Sequence, residues 1–197
     1  MKIEPHKIYH IYNKGNNRTP IYFNRENYLF FLRKMRKHIL PEAHFISYCL
    51  MPNHFHWLVF IKGTRQTAPS GQTGEGQHPM TQKIATLLSS YTQAINNQEN
   101  REGSLFRQKT KAVEIKNLYD ALRCFHYIHQ NPLKAGLVSK LEEWEFSSFR
   151  DFMGLRNGTL CDITLATKLL DLPDVRERFY KKSYNSIDPS AIKKFYK

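Results

Sequence analysis

Hydrophobic and polar positions change period several times along this chain, and each change marks a predicted element. Lys7 to Lys14 is β-branched and aromatic and reads as a strand, broken by Gly15-Asn16-Asn17. Asn24 is placed to cap a helix of about 15 residues. Tyr28, Phe31, Leu32, Met35 and Ile39 fall at the i, i+3, i+4 spacing of its apolar face, and Pro41 ends it. Two strands are expected over Ala43–Met51 and His54–Ile61, joined by a tight turn at Pro52-Asn53. Residues 63–79 are rich in Gly, Thr, Gln, Ser and Pro without a hydrophobic anchor, which predicts a long mobile loop. A second helix follows, with Ile84, Leu87, Leu88, Tyr91 and Ile95 on one face, closing between Asn96 and Gly103. Ser104 to Lys116 alternates basic and apolar residues, as expected for a loop running into a fourth strand.

The order strand, helix, strand, strand, helix, strand is that of the split-βαβ, ferredoxin-like arrangement. The predicted class is therefore α+β, an antiparallel sheet with helices on one face. A further helix is expected over Asn117–Gln130, stopped by Asn131-Pro132. Beyond it come a Trp144–Phe149 patch, an amphipathic stretch around Leu165–Tyr180 and a basic end with Lys181, Lys182, Lys193, Lys194 and Lys197. This divides the chain into residues 1–153, a compact domain with its last helix, and 154–197, a helical basic extension.

Such a fold hosts many activities, so function has to come from particular side chains. Strand residues alternate between faces, so His54 and His56 of Met51-Pro52-Asn53-His54-Phe55-His56-Trp57 point the same way. Two imidazoles on one face of a rigid strand can grip one metal ion, although such a pair in an apolar strand is more often structural. The helix before Asn131 supplies partners for them. At 100° per residue, Leu118, Ala121, Leu122, Phe125 and Ile128 form its core stripe, and Tyr127 falls about 160° from the centre of that stripe. Asp120, Cys124 and Asn131 share the sector of Tyr127, with Asn131 one turn beyond it. The Asn131 amide oxygen is a candidate third ligand and the Tyr127 phenol a candidate nucleophile toward a phosphodiester. His126 and His129 are turned away from the Asn131 sector and are assigned solvent or packing roles. His10 and His44, on strands, are candidates for supporting a metal site from behind its ligands.

Charge narrows the substrate. There are 30 Lys+Arg against 17 Asp+Glu, a formal net charge of +13, which points to an anionic partner and first to nucleic acid. Arg107, Lys109 and Lys111 precede the tyrosine helix directly and are the first candidates for DNA phosphates, followed by Lys14 and Arg18. Tyr12, Trp57 and Phe106 are candidates for stacking on bases. Cys49, Cys124 and Cys161 are far apart and form no CxxC pair, so they are read as free thiols. With no apolar run of membrane-spanning length and no leader-like N-terminus, a cytoplasmic protein is expected.

The His54-Phe55-His56 motif after Met51-Pro52-Asn53 resembles the His-hydrophobic-His motif of the HUH-type single-tyrosine transposases. Tyr127-Ile128-x-x-Asn131-Pro132 resembles their tyrosine helix, especially in the branch associated with repetitive extragenic palindromes (REPs). Tyr9-His10-Ile11-Tyr12-Asn13-Lys14-Gly15, Gly103–Lys109 and Trp144–Phe149 are similar to segments of that branch, and the likeness covers roughly residues 5 to 153. It implies a ferredoxin-like catalytic domain with Mg²⁺ or Mn²⁺ held by His54 and His56. It implies Tyr127 as a nucleophile that cleaves single-stranded DNA near a hairpin, giving a 5′-phosphotyrosine and a free 3′-OH, and that rejoins strands by reversal. Related insertion-sequence enzymes carry Gln where this chain has the shorter Asn131, so a water is an alternative to Asn131 on the metal. Two questions stay open at this level. One is whether the protein forms a homodimer with Tyr127 acting on a partner's histidines. The other is whether it is instead a catalytically silent relative that binds hairpin nucleic acid as a regulator.

Overall fold

The computed structural model describes residues 2–63 and 79–196, so the loop expected at 63–79 lies, for residues 64–78, outside the described residues. The first strand, β1 (Ile8–Lys14), leads through a 3-10 turn at Asn16–Arg18 to helix α1 (Arg25–His38). At the end of β1 the chain must be glycine: a Cβ on Gly15 would lie 2.2 Å from the Thr19 carbonyl oxygen. The Asn24 side chain caps α1 by accepting from the Asn27 N–H. The hairpin follows as β2 (Ala43–Met51) and β3 (His54–Ile61), with the boundaries the sequence pattern predicts. Helix α2 (Pro79–Gln98) and strand β4 (Lys111–Ile115) complete the split-βαβ unit.

All three strand pairings are antiparallel and the order is β2-β3-β1-β4. The alternation of side chains divides the core in two. On one face, Ile11, Phe55, Trp57 and Val59 pack with Phe31 and Met35 of α1 and Ile84, Leu87 and Tyr91 of α2. On the other, Ile8, Leu58, Cys49 and Met51 pack with Ala121, Cys124, Phe125 and Ile128 of helix α3 (Leu118–Lys134). Burying Trp57, Phe31 and Phe55 completely contributes roughly 1.5–3 kcal/mol for each side chain.

Helix α3 departs from expectation in two ways. It does not stop at Asn131-Pro132 but runs through them to Lys134. Pro132 forfeits only one backbone hydrogen bond in the last turn, and the next N–H groups still find carbonyls, Ala135 to Asn131 and Leu137 to Pro132. Its burial is also broader than one stripe. Leu118, expected in the core, is 52% exposed, while Cys124, Tyr127 and His129 are buried. The cause is that α3 is covered twice: by the sheet on one side and on the other by helices α5 (Ile163–Leu170), α6 (Arg176–Ser183) and α7 (Pro189–Lys193).

Between α3 and α5 the chain lies along the outer edge of β2. Leu50 N–H donates to the Phe146 carbonyl, Ser148 N–H to Tyr48, and Asp162 N–H to Phe45. The short helix α4 (Phe149–Phe152) follows the Trp144–Phe149 patch, whose Trp144 Nε1 donates to the Leu50 carbonyl. Arg156 fastens this segment by donating to both Asp151 carboxylate oxygens, to the Glu145 and Ser147 carbonyls and to the Tyr48 hydroxyl. No helix among the described residues is long and apolar enough to cross a membrane.

Candidate active site

The site lies on the sheet face that α3 covers. Register places Tyr12 of β1 opposite His56 of β3, and Lys14 opposite His54. His54 and His56 therefore project from the same face, their rings 5.0 Å apart between centroids. His56 is fully buried, whereas His54 is partly open. Burial pushes the His54 imidazole down to about 4, with the nearby Lys14 charge adding to the effect. His56 is driven well below the usual histidine range, first by burial and then by its neighbours His10, His54 and Lys14. Both rings are thus neutral at pH 7, the form in which an imidazole nitrogen can ligate a metal.

Helix α3 delivers Tyr127 to this face. Its ring stands edge-on to His56 at 5.9 Å between centroids, within one chain. The tyrosine is only 7% exposed, so it points into a covered pocket rather than away from the protein. Burial raises its phenol, and hydrogen bonds from Tyr196 and Asn131 work in the opposite direction. Asn131 sits one turn along, its side-chain nitrogen donating to the Tyr127 carbonyl at 2.8 Å. The Lys134 ammonium lies 5.7 Å from the centre of the Tyr127 ring.

Three residues at this site escape the periodicity argument. Tyr196, just beyond α7, shares a hydroxyl–hydroxyl hydrogen bond with Tyr127 and stands edge-on to His10, Tyr12 and His56. Lys134 is in the last turn of α3, beyond the point where the sequence ends the helix. His10, already a candidate support, has a defined place: its Nε2 is 2.9 Å from His56 Nδ1. His44 instead pairs with Asp162 at 2.9 Å, remote from the tyrosine, and His129 is buried against the Ser148 hydroxyl.

A metal would find a partial set of donors here. Among the described residues no three His, Cys, Asp or Glu side chains gather to hold an ion by themselves. The two histidines nevertheless fit the group. His56 Nε2 is buried without a hydrogen-bond partner, and the Asn53 side-chain oxygen, 2.6 Å from His54 Nδ1, accepts a hydrogen bond from that nitrogen and leaves a lone pair on His54 Nε2. Such a pair would require oxygens from an amide, water or substrate to complete a Mg²⁺ or Mn²⁺ shell.

Beside the histidines, four of the five cations singled out in the sequence converge. Lys14, Arg107, Lys109 and Lys111 line one pocket of about 240 Å³ with Tyr12, Asn13 and Tyr196. Asn13 holds the arrangement, its amide nitrogen donating to the Arg107 carbonyl and the Thr110 hydroxyl. Arg18 is not among its lining residues; it sits exposed in the 3-10 turn. Arg107, Lys109 and Lys111 also border a larger groove of about 1210 Å³ between β4 and α2. The stacking candidates fare differently: Trp57 and Phe106 are core residues, and Tyr12 is largely covered.

No family model matches the chain. A putative REP-associated tyrosine transposase of Haemophilus influenzae is 25% identical over 113 residues, 53% of this chain and 57% of that protein, so the match spans little more than half of the curated relative. Among solved structures, a REP-associated tyrosine transposase bound to a REP hairpin aligns with a TM-score of 0.56 at 17% identity, covering 83% of this chain and 86% of the other. The chain is thus distantly similar in sequence to that putative transposase over about half its length, and it shares the α+β fold of the solved structure.

Proposed function

We propose that this distant relative of the REP-associated tyrosine transposases is itself a metal-dependent tyrosine enzyme that cleaves and rejoins single-stranded DNA beside a hairpin. The observation that carries the reading is the edge-on approach of Tyr127 to His56, 5.9 Å between ring centroids, which joins the tyrosine helix to the paired-histidine strand. His54 and His56 would hold a divalent ion through their Nε2 atoms, with Asn131 or water as a further ligand. When bound, the ion supplies Lewis-acid polarisation of the scissile phosphate. The Tyr127 oxygen loses its proton to solvent and attacks phosphorus. A tyrosyl–phosphate bond forms as the bond to the 3′-oxygen breaks, and that oxygen takes a proton to become a free 3′-OH. Another 3′-OH reverses the step and rejoins the strand. Lys14, Arg107, Lys109 and Lys111 hold flanking phosphates, and Lys134 favours the phenolate by its charge. The tyrosine and the histidines of this scheme belong to one subunit.

A second reading has its own observation: the Tyr127 hydroxyl is engaged by Tyr196, as it would be in a binding protein whose chemistry is silent. Incubation with labelled single-stranded hairpin DNA and Mn²⁺ decides. A covalent protein–DNA adduct, absent in Tyr127→Phe, supports the enzyme. Binding without an adduct supports the regulator, and cleavage that survives Tyr127→Phe refutes both in favour of a hydrolytic nuclease.

A further inference from the structure

The candidate ligand His56 ends a short polar chain running through the apolar layer under α3. At one end, the backbone carbonyl of Phe195 lies 3.0 Å from His10 Nδ1. In the middle, His10 Nε2 lies 2.9 Å from His56 Nδ1, with the two rings stacked 18° from parallel. At the other end, His56 Nε2 is buried and has no hydrogen-bond partner. His10 and His56 are both completely inaccessible to solvent, so an N–H on either ring is costly to bury unless the protein supplies an acceptor for it.

Only one assignment of protons satisfies these distances. A carbonyl oxygen can accept but not donate, so His10 Nδ1 carries the hydrogen that faces Phe195. In a neutral ring this leaves His10 Nε2 as an acceptor. His56 Nδ1 must then donate to it, and the His56 lone pair is left on Nε2. The reverse direction would set two acceptors, His10 Nδ1 and the Phe195 oxygen, against each other at 3.0 Å.

We infer that His10 is a positioning residue for the metal centre: it fixes the tautomer and orientation of His56 so that the Nε2 lone pair, rather than an N–H, is presented to the ion. The inference rests on the reading of His54 and His56 as metal ligands. A histidine ligand ordinarily donates its second N–H to a carboxylate, carbonyl or water. Here an imidazole does that work, and the Phe195 carbonyl in turn fixes the imidazole. The segment after α7 therefore sets the direction of the whole relay, although nothing in its local sequence marks it as part of a site.

Two measurements on the full chain test this. Long-range ¹⁵N–¹H NMR spectra of the metal-free protein should show His10 and His56 both as Nδ1–H tautomers. Mn²⁺ binding, read from the EPR signal of the free ion, should weaken about 10- to 100-fold in His10→Phe, and His10→Gln, whose amide oxygen can accept from His56 Nδ1, should recover most of the loss. A His56 Nε2–H tautomer in the parent protein would overturn the inference. So would a folded His10→Phe variant, judged by its thermal melt, that binds Mn²⁺ within about twofold of the parent. If His10→Phe does not fold, the parent tautomer and His10→Gln decide between the same outcomes. Should the parent bind no Mn²⁺ at all, the metal-dependent function fails, while the tautomer spectrum still decides what His10 does to His56.

Discussion

The hydroxyl of Tyr127 is hydrogen-bonded to the hydroxyl of Tyr196, 69 residues further along the chain. The proposed nucleophile is thus engaged by the segment that follows α7. The Lys14 ammonium lies 5.7 Å from the Tyr196 ring, so the same aromatic side chain also closes one side of the cationic pocket. DNA would have to displace Tyr196 to bring a phosphate against Tyr127.

Tyr196→Ala should therefore accelerate formation of the Tyr127–DNA adduct. A neutral hydrogen bond is worth about 1 kcal/mol net, or roughly a fivefold change in rate. Timed adduct formation on denaturing gels checks this, with Tyr127→Phe as the blank. An unchanged or slower rate would mean that Tyr196 assists the chemistry or leaves it untouched.

The four clustered cations predict a salt dependence. Each phosphate contact on single-stranded DNA contributes about 0.7 to the slope of log K against log salt. The double variant Arg107→Gln/Lys109→Gln should therefore lower the slope by about 1.4 and weaken binding at low salt. Arg18→Gln, which alters a cation outside the pocket, should change the slope by much less. Fluorescence anisotropy titrations at several salt concentrations measure both.

Buried histidines predict loss of stability in acid. Burial pushes His126 down to about 4, with the Lys182 charge contributing, whereas an exposed histidine titrates near 6.5. Between these values the unfolded chain binds the extra proton, so unfolding free energy falls as pH falls from 6.5 toward 4. The slope from this residue is at most about 1.4 kcal/mol per pH unit, and His129 adds in the same direction. His126→Leu should flatten the decline by up to that amount. Urea midpoints taken at pH 7, 6 and 5 provide the comparison.

Arg156 predicts a large structural effect far from the chemistry. Its partner Asp151 has a side chain only 1% exposed. Arg156→Met would leave that carboxylate buried and unpaired, a loss of about 3–5 kcal/mol. Chemical denaturation of the variant should show it, and the double variant Arg156→Met/Asp151→Leu should regain a substantial part.

Most of the split-βαβ unit was legible because local rules and tertiary packing agree there. Asn24 caps α1 as its side chain suggests, and the β2–β3 hairpin has the boundaries its turn residues imply. The helix angle set Tyr127 apart from the stripe of Phe125 and Ile128, yet all three are buried in one cluster. It could not show that both sectors are covered, because helical periodicity is blind to how many layers pack on a helix. Pro132 misled for a related reason: one missing N–H weakens a terminal turn without ending it. The histidine pair could be read from strand alternation alone. Tyr196 and the Phe195 carbonyl could not, since their roles depend on a distant segment folding back over α3.

Strand β3 places His54 and His56 on one face and Phe55 and Trp57 on the other, opposite Lys14, Tyr12, Asn13 and Ile11 of β1. A slip of one residue would exchange these sets, setting two aromatic side chains in the candidate site and two imidazoles in the apolar core. The strand is therefore intolerant of single-residue insertion or deletion in a way that ordinary core strands are not. An indel near Pro52-Asn53 would therefore disrupt the candidate site and the packing together.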